Sequence, residues 1–446
     1  MTVQPAADFP QRAEQRRAGI LGRISDWIPV LILAYPILIT PFLLGMSGEE
    51  TEEANIIASK SNAVNQLFWI GLFGLTLISA GPRLRRVLAA LRNPVTLALL
   101  AYLALALLSV FWSPVPGIAL RRSVQQIIIV LSLVISVSCT DDARALFGRT
   151  LLLLNAVVLV NCLAVAFLPP TPLGHAGIYP QKNGLGAVMA LAVMFNIYGL
   201  MTTTGAAKRV CIVLFSALAF ALLVLSQSKT SLGLSILMPV AAYLLVSMAL
   251  LFRINALTLL VFFTITGAVL WLFASTLTRF GFSDLSLLLF NDETYTGRTF
   301  IWSFVLDIIS RAPILGQGYA SFWATGSDSI AFREAPGFVI LLIQAHNGYL
   351  DVMLETGLVG FSLLFVLILS ALAAVARIVP LDRQVAFISL CLLLFVICHN
   401  MLESSWYRSY SLNWLFFLMA ALMPGALLRA SQSGQRAGPP GTDRNG

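Results

Sequence analysis

Along this chain, apolar residues fall in long blocks separated by short polar stretches. The blocks run near 27–46, 64–80, 94–112, 124–140, 150–168, 185–201, 210–228, 232–252, 254–275, 358–376, 384–401 and 412–428. A bilayer-spanning helix takes roughly 20 apolar residues, so the pattern predicts an all-α polytopic membrane protein with about 12 transmembrane helices. The first block carries Pro29, Pro36 and Pro41 and has no small-residue cleavage site after it. It reads as an uncleaved first helix, not a signal peptide.

One connection breaks the rhythm. Residues 276–357 separate two spans by far more than the 2–8 residues usual between neighbouring helices. Long ordered loops tend to carry function. Within this one, Phe300, Ile301, Phe304, Val305, Ile308 and Ile309 recur at helical period and end before Pro313. The pattern predicts a short amphipathic helix lying on the membrane surface, with Arg298 at its N-terminal edge behind Gly297. Leu350, Leu354 and Leu358, four apart, predict a second helix that feeds the tenth span, with His346 at or just before its start.

Composition agrees. Of 446 residues 58% are apolar and 11% charged, against about 25% charged in a soluble domain. A water-soluble globule, a disordered chain, a coiled coil and a secreted disulfide scaffold are excluded. The five Cys (139, 162, 211, 391, 398) lie in or beside apolar runs and read as inert. The formal charge of +8 raises nucleic acid as a partner, but topology accounts for it. Twelve spans put both termini on one side, and the positive-inside rule makes that side cytoplasmic. The inner segments then hold 18 of the 28 basic residues and seven of the 20 acids, a surplus of +11, and the outer side sums to −3. The expected organisation is a cytoplasmic N-terminal segment (1–26), a transmembrane region (27–428) containing the outer loop 276–357, and a disordered cytoplasmic tail (429–446). The acidic run Glu49–Glu53 reads as a solvated outer loop.

The outer side needs no cations for orientation, which makes those it has informative. Lys229 stands between two spans and either snorkels to head groups or fixes a positive charge in a membrane cavity. Arg121 and Arg122, before the fourth span, admit the same two readings. Lys182 and Asn183 precede the sixth span, after His175, Tyr179 and Pro180. His346 can hold or transfer a proton near neutral pH, or simply be a hydrogen-bonded interfacial residue. No P-loop, Cys/His metal spacing or Gly-x-Ser-x-Gly elbow is present, so any reaction must draw on an activated substrate.

Several segments carry a resemblance. Ala345-His346-Asn347-Gly348-Tyr349-Leu350 with Leu354-Glu355-Thr356-Gly357-Leu358-Val359-Gly360 resembles the signature of the O-antigen ligase and O-antigen polymerase superfamily. So does Thr296-Gly297-Arg298-Thr299-Phe300-Ile301-Trp302 followed by Pro313-Ile314-Leu315-Gly316-Gln317-Gly318. Gln181-Lys182-Asn183-Gly184-Leu185-Gly186 and Ser226-Gln227-Ser228-Lys229-Thr230-Ser231 resemble the exopolysaccharide, succinoglycan-type polymerase branch. The resemblance covers about 170–410. It implies a metal-independent, inverting glycosyltransferase of the bacterial inner membrane, without a cofactor. Its active site would face the periplasm and its donor would be a glycan on undecaprenyl diphosphate. The family's essential His falls at His346 and its long-loop Arg at Arg298. A further Arg of many ligases falls at Lys229, which keeps the charge but loses the bidentate fork. A flippase and chain-length or export proteins are the partners implied, with the bilayer itself and no nucleic acid.

The expected site is therefore His346 and Arg298 as catalytic residues, with Lys229, Arg122, Lys182 and Asn183 binding diphosphate or glycan and no metal ligand. Cations stabilise charge developing on the departing diphosphate, and His346 either takes the acceptor proton or orients the acceptor. Three activities remain: a polymerase of lipid-linked repeat units, a ligase moving finished O-antigen to lipid A-core, and a transporter or flippase of lipid-linked sugars. A transporter expects ionisable groups near the bilayer midplane, whereas here they gather on the outer side.

Overall fold

A computed structural model of the chain describes residues 24–39, 62–290, 297–326 and 329–436. It is a multi-pass, all-helical membrane protein. Among the described residues ten helices are long and apolar enough to cross a bilayer. They are α2 (Ala63–Ala80, continued through a 3-10 turn into the amphipathic α3, Leu84–Leu91), α4 (Pro94–Leu108), α5 (Pro116–Ser138), α6 (Ala143–Phe167), α7 (Lys182–Thr202), α8 (Ala206–Leu225), α9 (Lys229–Phe252), α10 (Ala256–Thr278), α14 (Gly348–Ile378) and α16 (Leu412–Arg436). Two shorter apolar helices, α1 (Ile24–Ile39) and α15 (Arg383–His399), lie where the first and eleventh spans are expected. The first expected span runs on to 46, outside the described residues, as does the acidic run at 49–53. The last helix continues to Arg436, past the boundary at 428 drawn from the apolar pattern.

Six helix starts share one chemistry. Asn62, Asn93, Asp142, Asn255, Asn347 and Asp382 each accept a hydrogen bond from a first-turn backbone N–H, satisfying donors that a helix leaves without an internal partner. At the centre of the bundle α7, α15 and α16 are buried along most of their length. Asn155 and Asn196, facing across α6 and α7, exchange amide hydrogen bonds at 2.9 and 3.3 Å, which removes the cost of two polar side chains in an apolar interior. In contrast α10 buries only Ala256 and Leu259. Of the cysteines, Cys139 and Cys391 are buried, Cys162 and Cys398 half-buried, and Cys211 exposed.

The long connection between α10 and α14 holds α11 (Phe282–Phe290), α12 (Arg298–Arg311), the one-turn α13 (Ile330–Glu334) and a 3-10 turn at Gly337–Leu341. The apolar stripe of α12 does not rest on lipid, as expected from its period. Ile301, Val305, Ile308 and Ile309 pack against Phe322, Trp323, Val339, Leu342 and Leu354, forming a small core of the loop's own with the start of α14. Trp302 Nε1 donates to Ala345 O at 3.1 Å, and Trp323 Nε1 to Asp351 Oδ1 at 2.8 Å. The tenth span is also not one continuous helix. At Gly357 (φ 60°, ψ −161°) α14 breaks, and the carbonyls this exposes are taken by the loop: Gln317 N donates to Leu354 O and Gly318 N to Glu355 O, both at 2.9 Å. Leu358 N and Val359 N donate in return to Pro313 O and Ile314 O. A side chain at Gly357 would overlap the Ile314 carbonyl, so glycine is required by both its positive φ and this approach.

Candidate active site

Four helices begin around one cavity of about 1320 Å³. Lys182, Lys229 and Arg298 are the first residues of α7, α9 and α12, and Gly348 is the first of α14. Each helix start contributes roughly half a positive charge. The fully charged side chains lining the cavity are Lys182, Lys229, Arg298 and Glu403, three cations against one carboxylate. This end of the bundle is built to hold an anion.

Glu403, in the connection between α15 and α16, joins the site together. Its Oε2 lies 3.1 Å from His346 Nδ1, and its Oε1 accepts from Arg298 Nη2 at 2.9 Å and from Asn183 Nδ2 at 2.8 Å. The side chains of Arg298 and Glu403 are each 11% exposed and that of His346 14%. Burial alone would raise the Glu403 carboxyl. The hydrogen bond and charge of His346, with the charges of Arg298 and His399, outweigh it and hold the group at about 2. Glu403 is therefore a carboxylate, which can only accept, so His346 Nδ1 carries the proton in this pair. Whenever that ring is neutral, its basic lone pair is on Nε2.

The backbone fixes this geometry. His346 sits in the left-handed region (φ 50°), and Asn347 behind it caps α14 by accepting from Tyr349 N and Leu350 N. Gly348 N donates to both Asn400 O and Glu403 O. A side chain on Gly348 would overlap the Asn400 amide, so glycine there lets the His346 segment lie directly on the Glu403 segment. Asn347 N donates to Ser404 Oγ at 3.1 Å, and Asn400 Oδ1 accepts from Ser405 N and Trp406 N. The turn that presents Glu403 is thus fully hydrogen-bonded to the turn that presents His346.

Five of the six expected site residues, His346, Arg298, Lys229, Lys182 and Asn183, line the cavity together. Arg122 does not. Its Nη1 donates to Ala320 O (2.6 Å) and Trp323 O (3.1 Å) and its Nη2 to Ala324 O (2.6 Å). Ala320 and Ala324 are both left-handed, at φ 49° and 52°. The guanidinium clamps two unfavourable turns of the loop and is not among the residues that line the cavity. The half-buried Glu355 serves the same segment, accepting from Ala320 N at 3.0 Å. Glu403 itself was missed by sequence reasoning; the available signal was a carboxylate in a short outer connection between two apolar runs.

Parts of the chain are similar to known proteins. Residues 214–365, from within α8 into the tenth span, match the O-antigen ligase family. The exopolysaccharide production protein ExoQ of Rhizobium meliloti is 29% identical over 307 residues, 64% of this chain and 66% of that protein. A Rickettsia prowazekii protein named as a polysaccharide ligase is 29% identical over 130 residues, 28% of this chain and 32% of its own length. The chain thus aligns with just under two thirds of the length of the first relative and about a third of the second.

Proposed function

We propose, from the O-antigen ligase domain at residues 214–365, that this protein polymerises lipid-linked oligosaccharide repeat units into exopolysaccharide. The donor is a glycan on undecaprenyl diphosphate, and the transfer is inverting and metal-independent, on the periplasmic side of the bacterial inner membrane. The observation that carries the reading is Glu403 holding His346, Arg298 and Asn183 in a cavity that Lys182 and Lys229 also line. His346 Nε2 takes the proton of the acceptor hydroxyl as its oxygen attacks the anomeric carbon. The bond from that carbon to the diphosphate oxygen breaks, and the lipid diphosphate leaves with the electron pair. Arg298, Lys229 and Lys182 stabilise the charge gathering on the leaving group. A glycosyl diphosphate is already activated, so no nucleotide is consumed.

A second reading, transfer of a finished glycan to lipid A-core, is favoured by the Rickettsia relative's name. It uses the same residues and differs in acceptor alone. The relative with the longer alignment has a name that refers to exopolysaccharide production, which supports the first reading. Reconstitution in liposomes with a lipid-diphosphate oligosaccharide separates them. Chain growth from that substrate alone means polymerase, and a requirement for lipid A-core means ligase. Movement of the lipid-linked sugar without new glycosidic bonds refutes both.

A further inference from the structure

At the other end of the bundle lies a second cavity, of about 620 Å³. Arg92, at the turn before α4, Arg377, in the last turn of α14, and Arg429, in α16, all line it. Gly348, at the start of α14, adjoins the His346 site. Beyond the break at Gly357, α14 runs another 20 residues to Arg377, about 30 Å at a rise of 1.5 Å per residue. The second cavity therefore belongs to the opposite membrane face and is separate from the candidate active site.

One set of arginines at this end is paired with carboxylates. Arg83 and Arg86 pair with Asp141, Arg144 with Asp382, and Arg149 with Asp26. Among the described residues no carboxylate pairs with Arg92 or Arg377, and the carboxylates of Asp26, Asp141 and Asp382 are bound to that set. Asn93 adds a polar group: its Oδ1 caps α4 by accepting from Val95 N at 3.0 Å, which leaves the amide nitrogen turned toward Gly425, beside Arg429 Nη1. Apart from Ser370 the rest of the wall is apolar, including Leu257, Leu369 and Ala373, and Leu369 is on the exposed surface of α14. A polar floor of three guanidinium groups and an amide, with an apolar wall opening sideways toward lipid, matches a molecule with an anionic head and hydrocarbon tails.

We propose that this cavity binds the phosphodiester headgroup of an anionic phospholipid from the leaflet opposite the active site. The guanidinium forks take the phosphate oxygens in paired hydrogen bonds, the Asn93 amide donates a further one, and the acyl chains leave along Leu257 and Leu369. Arginine surplus at one membrane face also sets topology, but topology needs charge alone, whereas a binding site needs the space as well.

The test uses the full chain purified in detergent micelles containing phosphatidylglycerol or phosphatidylcholine, with lipid retention read by native mass spectrometry. The wild type is expected to keep one phosphatidylglycerol in preference to phosphatidylcholine. Arg377→Gln and Arg92→Gln should each weaken retention about fivefold, the usual effect of one basic residue on an anionic lipid. Gly425→Leu, which fills the cavity beside Asn93 and crowds the Arg429 guanidinium while leaving the net charge unchanged, should abolish it. Equal retention of both lipids, or retention of phosphatidylglycerol unchanged in Gly425→Leu with all variants folded by thermal melting, overturns the proposal. Displacement of the lipid by millimolar inorganic phosphate overturns the lipid assignment in favour of a free-anion site.

Discussion

Glu403 Oε2 lies 3.1 Å from His346 Nδ1, although the two residues are 57 positions apart and sit in different connections of the bundle. The carboxylate accepts at Nδ1, which leaves Nε2 as the basic nitrogen of the neutral ring. Its second oxygen holds Arg298 and Asn183. One side chain therefore sets the tautomer of the proposed base and the position of the proposed diphosphate ligand.

Glu403→Gln keeps the shape and removes the charge. Glutamine can still accept at its oxygen, but its amide meets either Arg298 or His346 as a donor facing a donor. Turnover should fall by about 10–100-fold, the usual cost of removing a group that orients a functional His, with the protein still inserted and monodisperse. His346→Ala should lose about 10²–10⁴-fold, the range of general-base assistance. Polymer formed per unit time in liposomes measures both. Glu403→Gln at wild-type rate would reduce the pair to a structural contact.

Arg298 reaches Glu403 through Nη2 of its fork and also lines the cavity. Lysine has one point charge and must choose between the carboxylate and the diphosphate. Arg298→Lys should therefore reduce kcat at least about tenfold, because charge on the leaving group is greatest in the transition state. Lys229→Arg should be tolerated, since Lys229 is exposed at the start of α9 and arginine keeps its charge. Rates over a range of donor concentrations separate the two, and equal loss in both variants would remove the distinction drawn between these cations.

Much of the helical frame was legible because each apolar block is long enough to declare itself, and His346 could be placed just before a helix because Asn347 and the leucines behind it mark the start. What could not be read is what depends on chain crossing. The stripe of α12 specifies a buried face but not whether lipid or protein covers it; Phe322, Trp323 and Leu342 do. The break at Gly357 arises because Pro313–Gly318 supplies partners for the backbone there, and no local period encodes that. Arg122 and Glu403 show the same limit from opposite sides. Arg122 looked like a ligand by its position beside the outer interface and is spent on loop carbonyls. Glu403 looked like one more outer acid, and its role follows from three partners distant in sequence.

The Arg122 clamp predicts a local effect. Three hydrogen bonds from one cation hold the carbonyls of Ala320, Trp323 and Ala324. Left-handed alanine is unfavourable by about 1–2 kcal/mol per residue, and a hydrogen bond to a charged group contributes about 1.5–3 kcal/mol. Arg122→Gln should raise hydrogen exchange over 318–326 and lower the thermal midpoint in detergent, while leaving the donor Kd of the folded fraction within about threefold of wild type. Exchange unchanged across that segment would show that the loop is held by its other ties, such as Tyr319 Oη to Tyr407 O at 2.6 Å.

The titration of Glu403 gives a signed pH dependence. Its carboxyl is held at about 2 in the folded protein, against an ordinary value of 4.5. A group whose folded value is depressed adds stability that is complete above the ordinary value and disappears as pH falls through the folded one. The stability advantage of wild type over Glu403→Gln should therefore be flat from pH 7 to about 5, narrow from about 4.5, and vanish near 2. Thermal unfolding of both proteins in the same detergent across that range reads the difference directly. An advantage that instead disappeared between pH 7 and 5 would mean that Glu403 is protonated there, and the fixed Nδ1 proton of His346 would lose its basis.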